Sequence, residues 1–319
     1  MTDRHSRHGR LCGLIFFLNM LTYSQQSDYP VVKVGVILSD EQGRILLTRR
    51  AAEPFKDFWD IPGGTLEVAD FNAETGACRE IKEELGVSCE LLSLVGIYSN
   101  PERDPRYHAL ALVYTGKITG GDIVLNRHVA EYAWFDPQTL PSNVGFEHSR
   151  ILNDFKNKKI SLLSIKRRIY AEYTEKPFAY NDARFKDRVR AASGAIVIKG
   201  NSILLAKRCR EPFNGMWYIP GGHVLVRETM EETLVREIRE ELGVSCRVGK
   251  LFGVYSDRGR DPRNASVTAF YFTELDSERF EKNFEVNDFR YFSLSEVPEL
   301  GYHQNIIIED IKDFLSSPI

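Results

Sequence analysis

The sequence predicts an α/β protein made of two tandem α/β/α sandwiches with mixed sheets, and three observations lead there. The first is an internal repeat. GRILLTRRAAEPFKDFWDIPGG (43–64) aligns with NSILLAKRCREPFNGMWYIPGG (201–222) at an offset of 158, and REIKEELGV (79–87) aligns with REIREELGV (236–244) at 157. The second is the order of hydrophobic patterns, in which β-like runs surround an amphipathic helix in each copy. The third is length, since 319 residues accommodate two domains of ordinary size.

Taken in order, each copy opens with an apolar run, VVKVGVILSD or ASGAIVIKG, followed by a turn and a second strand, RILLTRR or SILLAKR. A PGG turn leads into the helix. Another strand, CELLSLVGIYS or CRVGKLFGVYS, runs into an RDPR loop and then into YHALALVYTGKI or SVTAFYFTEL. A strand-like segment, a proline turn and a terminal helix close each copy. The predicted organisation is an N-terminal extension over 1–28, a first domain over 29–158, a basic linker over 159–189 and a second domain over 190–319.

Hydrophobic content of 43% and charged content of 27% are those of a water-soluble globular chain. A net charge of −3 supplies no overall attraction to nucleic acid or to an anionic membrane, so neither is an expected partner. Five cysteines without CxxC or CxxH spacing support neither a zinc site nor a disulfide framework, which points to the reducing cytoplasm. Against that, MTDRHSRHGR precedes the apolar LCGLIFFLNML, a signal-like order with no small-x-small cleavage site after it. The alternatives are a secreted or anchored protein and a translation start at Met20.

The chemistry-bearing stretch is IPGGHVLVRETMEETLVREIREELGV (219–244). Residues three and four apart share a helix face, so Glu237, Glu240 and Glu241 converge on one spot and repel one another unless a cation sits there. Oxygen-only ligands suit a hard divalent ion, Mg²⁺ or alternatively Mn²⁺. Gly221 and Gly222 let backbone approach the ion or a phosphate, and Glu228 is placed to reach Arg236.

The spacing G-x5-E-x7-R-E-U-x-E-E-x-G-U, with U aliphatic, runs from Gly222 to Val244 without a gap and resembles the signature of the Nudix hydrolase family. The resemblance implies the α/β/α sandwich, a divalent metal, and hydrolysis of a nucleoside diphosphate linked to a further group. It implies metal ligation by Glu237, Glu240 and Glu241 with the Gly221 backbone, Glu237 serving as a third ligand or as the base. Glu285 is the downstream acid expected to complete the set, ahead of Glu281.

The first copy departs from this pattern. Asp70 replaces the upstream Glu and eight residues, not seven, separate it from Arg79, while Glu80, Glu83 and Glu84 keep their spacing. Gly64 corresponds to Gly222, and His128 falls where the second copy has Glu285. The first domain is therefore either a second catalytic centre or a non-catalytic nucleotide-sensing module.

RDPR recurs after each box, giving Arg103 and Arg106 in the first copy and Arg260 and Arg263 in the second. An Asp-Pro turn accounts for a polar hairpin; the functional reading is a pair of guanidinium groups for phosphate. The YS-x3-RDPR loop is similar to the ADP-ribose pyrophosphatase branch, although Tyr107 and Asn264 stand where that branch has glycine. This implies cleavage of ADP-ribose to AMP and ribose 5-phosphate, with (oxidised) nucleoside triphosphates as the alternative. Trp59 and Trp217 are either core residues or nucleobase platforms, and Arg49, Arg50, Lys207 and Arg208 are either phosphate contacts or solvated strand ends. The two copies are expected to pair within the chain or through a homodimer.

Overall fold

The computed structural model describes residues 28–157 and 188–316. The expectations for residues 1–27 and for most of the linker lie outside the described residues.

Each half is a mixed sheet with helices on both faces and a smaller antiparallel sheet beside it. In the first half β1 (Val31–Leu38) is apolar except at Lys33, because both its faces are largely covered. It pairs parallel with β6 (Ala109–Gly120) and antiparallel with the short β4 (Gly63–Thr65), and β5 (Ser88–Tyr98) closes the order β4-β1-β6-β5. A second sheet runs β3 (Trp59–Asp60), β2 (Ile45–Arg50), β7 (Val129–Phe135). Two helices complete the half, α1 (Ala73–Leu85) and α2 (His148–Lys156).

The second half repeats this with β8 (Arg190–Ile196), β9 (Ile198–Lys199), β10 (Ser202–Arg208), β11 (Trp217–Tyr218), β12 (Gly221–His223), β13 (Cys246–Tyr255), β14 (Ser266–Leu275) and β15 (Val286–Ser293). Its main sheet has the order β12-β8-β14-β13, and its helices are α3 (Met230–Leu242) and α4 (Asn305–Ser316). Alternation along β1 sends Val32, Val34 and Val36 toward α1 and Ile37 toward α2. Trp59 packs edge-on to Phe135 and Trp217 to Phe292, each at 4.8 Å between ring centroids. Neither tryptophan is among the residues lining the two cavities described below, and both pack against a neighbouring phenylalanine.

The helix that carries the carboxylates begins in the same way in both halves. Asn72 and Thr229 are N-caps whose side chains accept from Thr75 N and Glu232 N, and each helix stops at a left-handed glycine, Gly86 or Gly243. One more donor at each helix start is satisfied from the other half: Ser256 Oγ accepts from Ala73 N at 2.9 Å, and Ser99 Oγ accepts from Met230 N at 3.0 Å. These serines are the S of the two YS-x3-RDPR loops. The pairing is intramolecular and nearly two-fold, and a single apolar cluster draws on both halves, with Val32, Ala73 and Leu110 beside Ala191, Met230 and Val267. His108 sits in the same seam, 3% exposed, with Nδ1 accepting from Arg227 N and Nε2 donating to Ser99 O.

Candidate active site

The second half shows the arrangement at its fullest. Gly221 has φ 147°, and a Cβ there would lie 2.1 Å from the Ser193 carbonyl, so only glycine permits this crossing of β12 over β8. A Cβ on Gly222 would lie 2.3 Å from the Glu237 carboxyl, so the turn and the helix face each other with no room between them. The Glu241 carboxylate, 4% exposed, accepts from Gly221 N at 2.9 Å and from the Tyr218 hydroxyl. Burial pushes its carboxyl up to about 8, aided by Glu237 and Glu285 and opposed by the two hydrogen bonds.

Arg236 organises the face. It donates to both Glu228 oxygens at 2.7 and 2.9 Å, to the His223 carbonyl at 3.0 Å, to Glu237 at 2.7 Å and to Glu240 at 3.1 Å. Glu237 stays raised nonetheless, first through burial and then through Glu240 and Glu285. A partly buried Glu237 and a buried Glu241, both held above their ordinary range, are a face short of positive charge, which is what a hard divalent ion would supply. The donor set fits such an ion chemically. As they stand, Glu237 and Glu240 turn to Arg236, and among the described residues no three acidic, His or Cys side chains are gathered closely enough to hold an ion. Binding would have to draw them from the guanidinium.

Opposite this face lies a cavity of about 380 Å³. Its lining includes Gly221, Gly222, Glu237 and Glu241 on one side and Arg208, Arg260 and Arg263 on the other. The two RDPR arginines are not equivalent. Arg263 is locked to Asp261 through Nε and NH2, at 2.9 and 2.7 Å. Arg260 is 7% exposed, donates from NH1 to the Tyr255 carbonyl at 2.7 Å and has no partner at Nε. Burial draws its guanidinium down to about 10, the mark of a cation inside the fold without a matched anion. Glu285 also lines the cavity, ion-paired to Arg210, while Glu281 lies against Gly243, away from it.

The first half keeps the carboxylate face despite its altered box. Arg79 donates to both Asp70 oxygens at 2.8 and 3.0 Å and to the Thr65 carbonyl at 2.9 Å, as Arg236 does with Glu228 and His223. The inserted residue is absorbed in the loop. Gly64 meets Glu80 with the same 2.3 Å approach of a built Cβ, Glu84 accepts from Gly63 N at 2.9 Å, and burial pushes the Glu84 carboxyl up to about 8. Glu83, half exposed, reaches Arg79 at 3.3 Å. The cavity beside this face differs: about 90 Å³, lined by Arg103 and Arg106, with Asp60 where the second half has Tyr218, His148 for Gln304 and Phe146 for Tyr302. His128 pairs with its neighbour Arg127 at the surface and takes no part in it.

Several residues of the site escape sequence reasoning. Gln304 accepts from Ile219 N at 2.7 Å and Tyr218 holds Glu241, yet each reads as an ordinary residue of its element. The one visible signal was the mismatch FWDIPGG against MWYIPGG at the position of Asp60 and Tyr218. Strand alternation sorts the basic pairs: Arg50 and Arg208 enter the cavities, whereas Arg49 pairs with Glu131 at 2.7 Å and Lys207 lies over the Trp217 ring. Tyr29, far away in sequence, lines the second cavity with the Arg190 guanidinium 3.5 Å from its ring centroid.

Comparison with known proteins gives the family. A profile of the NUDIX domain matches residues 30–155 and again 188–310. The chain is 36% identical over 127 residues to an ADP-ribose pyrophosphatase of Methanocaldococcus jannaschii, covering 40% of this chain and 73% of that protein. It is 35% identical over 123 residues to a putative 8-oxo-dGTP diphosphatase of Bacillus subtilis, covering 38% of this chain and 77% of the relative. Among solved structures, the MutT NUDIX hydrolase of Burkholderia pseudomallei is similar at 27% identity and a TM-score of 0.35, over 39% of this chain and 97% of that one.

Proposed function

This chain belongs to the Nudix family in both of its halves and is a hydrolase of phosphoanhydride bonds, and from that premise we propose that its second half cleaves ADP-ribose to AMP and ribose 5-phosphate with Mg²⁺. The observation that carries the proposal is the pair of raised carboxyls, Glu237 and buried Glu241, that line with Arg208, Arg260 and Arg263 one cavity large enough for a nucleotide. Glu237, Glu240 and Glu241, with the backbone at Gly221, would hold the ion, and Glu285 would complete the set. Bound Mg²⁺ neutralises diphosphate charge and activates water.

The chain's own residues do the rest. Arg260 has an unpartnered Nε for a phosphate oxygen, and Arg263 adds positive charge beside it, its fork already oriented by Asp261. Arg236 holds Glu237 and Glu240 in reach, and Gly222, with no side chain, lets the Glu237 carboxyl lie against the turn. The proton of the attacking water would pass to one of the glutamates lining the cavity, Glu237, Glu241 or Glu285. Incubation with ADP-ribose and Mg²⁺ should release AMP; intact ADP-ribose after prolonged incubation would remove this substrate.

The similarity to a putative 8-oxo-dGTP diphosphatase favours a second reading, pyrophosphate release from (oxidised) nucleoside triphosphates. Running both substrates on one preparation separates them. The first half keeps Glu80, Glu83, Glu84 and Gly64 in matching places and is proposed as non-catalytic, with Arg103 and Arg106 its anion contacts.

A further inference from the structure

We infer that the cavity of the first half is a site for one phosphate group, inorganic or the end of a small phosphomonoester, and that it does not admit a nucleotide. Three observations support this. Size is the first: about 90 Å³ against about 380 Å³ in the second half. Sites for nucleotide-sized ligands run to roughly 300–1,000 Å³, so only the second cavity lies in that range.

Charge is the second. Lys33, Arg50, Arg103 and Arg106 line the first cavity together with Asp60 and Asp104. Arg106 is held by Asp104 at 2.7 Å and Arg50 by Asp60 at 2.9 Å, which cancels two pairs. Lys33 and Arg103 have no close carboxylate among the lining residues, Arg103 meeting only the loose Glu147 pair and Lys33 acting on Glu80 from a distance. Lys33 Nζ donates to the neutral Thr65 hydroxyl at 2.7 Å, and its place in the second half is taken by Ala192, so this cation belongs to the first cavity alone.

The third observation is Arg103 itself. It is 7% exposed, its Nε has no hydrogen-bond partner, and its ion pair with Glu147 is a loose 3.8 Å. A buried guanidinium with an idle donor needs an acceptor, and a tetrahedral oxyanion offers several to a planar fork. The walls also exclude a base and its sugar. Phe146 closes over Arg50 at 4.9 Å, and the Asp60–His148 pair fills the place where the second half has Tyr218 and Gln304. A monoanionic or dianionic phosphate answers the surplus charge in the space that is left.

The test is calorimetric titration of the full-length protein with inorganic phosphate, ribose 5-phosphate and AMP, repeated with Lys33→Met and with Arg103→Lys. Lys33 is half-buried at the cavity rim, so its replacement leaves the core untouched. One phosphate per chain should weaken about tenfold or more in Lys33→Met, as expected for losing a charged hydrogen-bond donor, and Arg103→Lys should weaken the same phosphate. Saturating AMP should leave that phosphate in place while occupying the second cavity. Ribose 5-phosphate binding there more tightly than phosphate would identify a phosphomonoester, and the reverse would identify the free ion. Isotherms unchanged by Lys33→Met, no phosphate bound, or AMP displacing every phosphate would overturn the inference.

Discussion

The two halves share one carboxylate face and differ in the space beside it. Asp70 is shorter than Glu228 by one methylene and its loop is longer by one residue, yet both place an arginine identically: two oxygens of one acid, one backbone carbonyl, and the next two carboxylates. Glu84 and Glu241 are both pushed up to about 8 by burial. The cavities have diverged instead, by exchange of Tyr218, Tyr302 and Gln304 for Asp60, Phe146 and His148. A duplicated fold can keep the geometry that gathers charge while side chains on other elements reshape the space beside it.

The comparison breaks most visibly in turnover. Glu237→Gln should lower kcat for nucleotide cleavage by roughly 10²–10⁴-fold, whereas Glu80→Gln should leave it within a few-fold, read by steady-state AMP release. Equal losses would mean that both halves catalyse. In stability the halves should behave alike: Ile238→Ala and Ile81→Ala, both 0% exposed, should each cost about 2–5 kcal/mol in denaturant unfolding.

The crossed serine caps give a smaller and more diagnostic effect. Ser99→Ala and Ser256→Ala should each cost roughly 0.5–2 kcal/mol. Ser99 caps the catalytic helix of the second half, so its loss should lower turnover more than loss of Ser256; the opposite ranking would show that the caps do not position the carboxylates.

The smallest effect is one of pH. Burial, with Arg103 adding, holds His108 below its ordinary 6.5, and the Arg227 N–H pointing at Nδ1 requires the neutral ring. The folded state thus resists a proton that the unfolded chain accepts, so stability present above pH 6.5 is lost as pH falls from there through the lower folded value. Ala265 holds the matching place in the second half, but His223 and His303 are lowered in the same way and the raised Glu84 and Glu241 act with the opposite sign. The His108 share is therefore read as the difference between wild type and His108→Gln in thermal melts between pH 7 and 5, where wild type should lose more stability as pH falls.

Much of this was readable in the chain because it is local. The repeat, the glycine turns, the i, i+3, i+4 carboxylates and the Glu228–Arg236 pair all follow from spacing within one loop and one helix. What was not readable depends on contacts between distant segments. The serines of the YS loops looked like lead-ins to RDPR, and only the pairing of the halves shows them capping each other's helices. Arg260 and Arg263 looked equivalent, but the Asp between them has one fork to fill and takes Arg263. Tyr29 reaches the second cavity from the start of the first half, which no periodicity reveals.

The account's central claim is that the carboxylates of the second half gather a divalent ion against a bound diphosphate. Its most direct test is AMP release from ADP-ribose with Mg²⁺, with Mg²⁺ removed by chelation, and with Glu240→Gln set beside Glu83→Gln. The account predicts turnover that vanishes with chelator, returns with Mg²⁺, survives Glu83→Gln and collapses in Glu240→Gln. Cleavage indifferent to the chelator, or undiminished in Glu240→Gln, would contradict it.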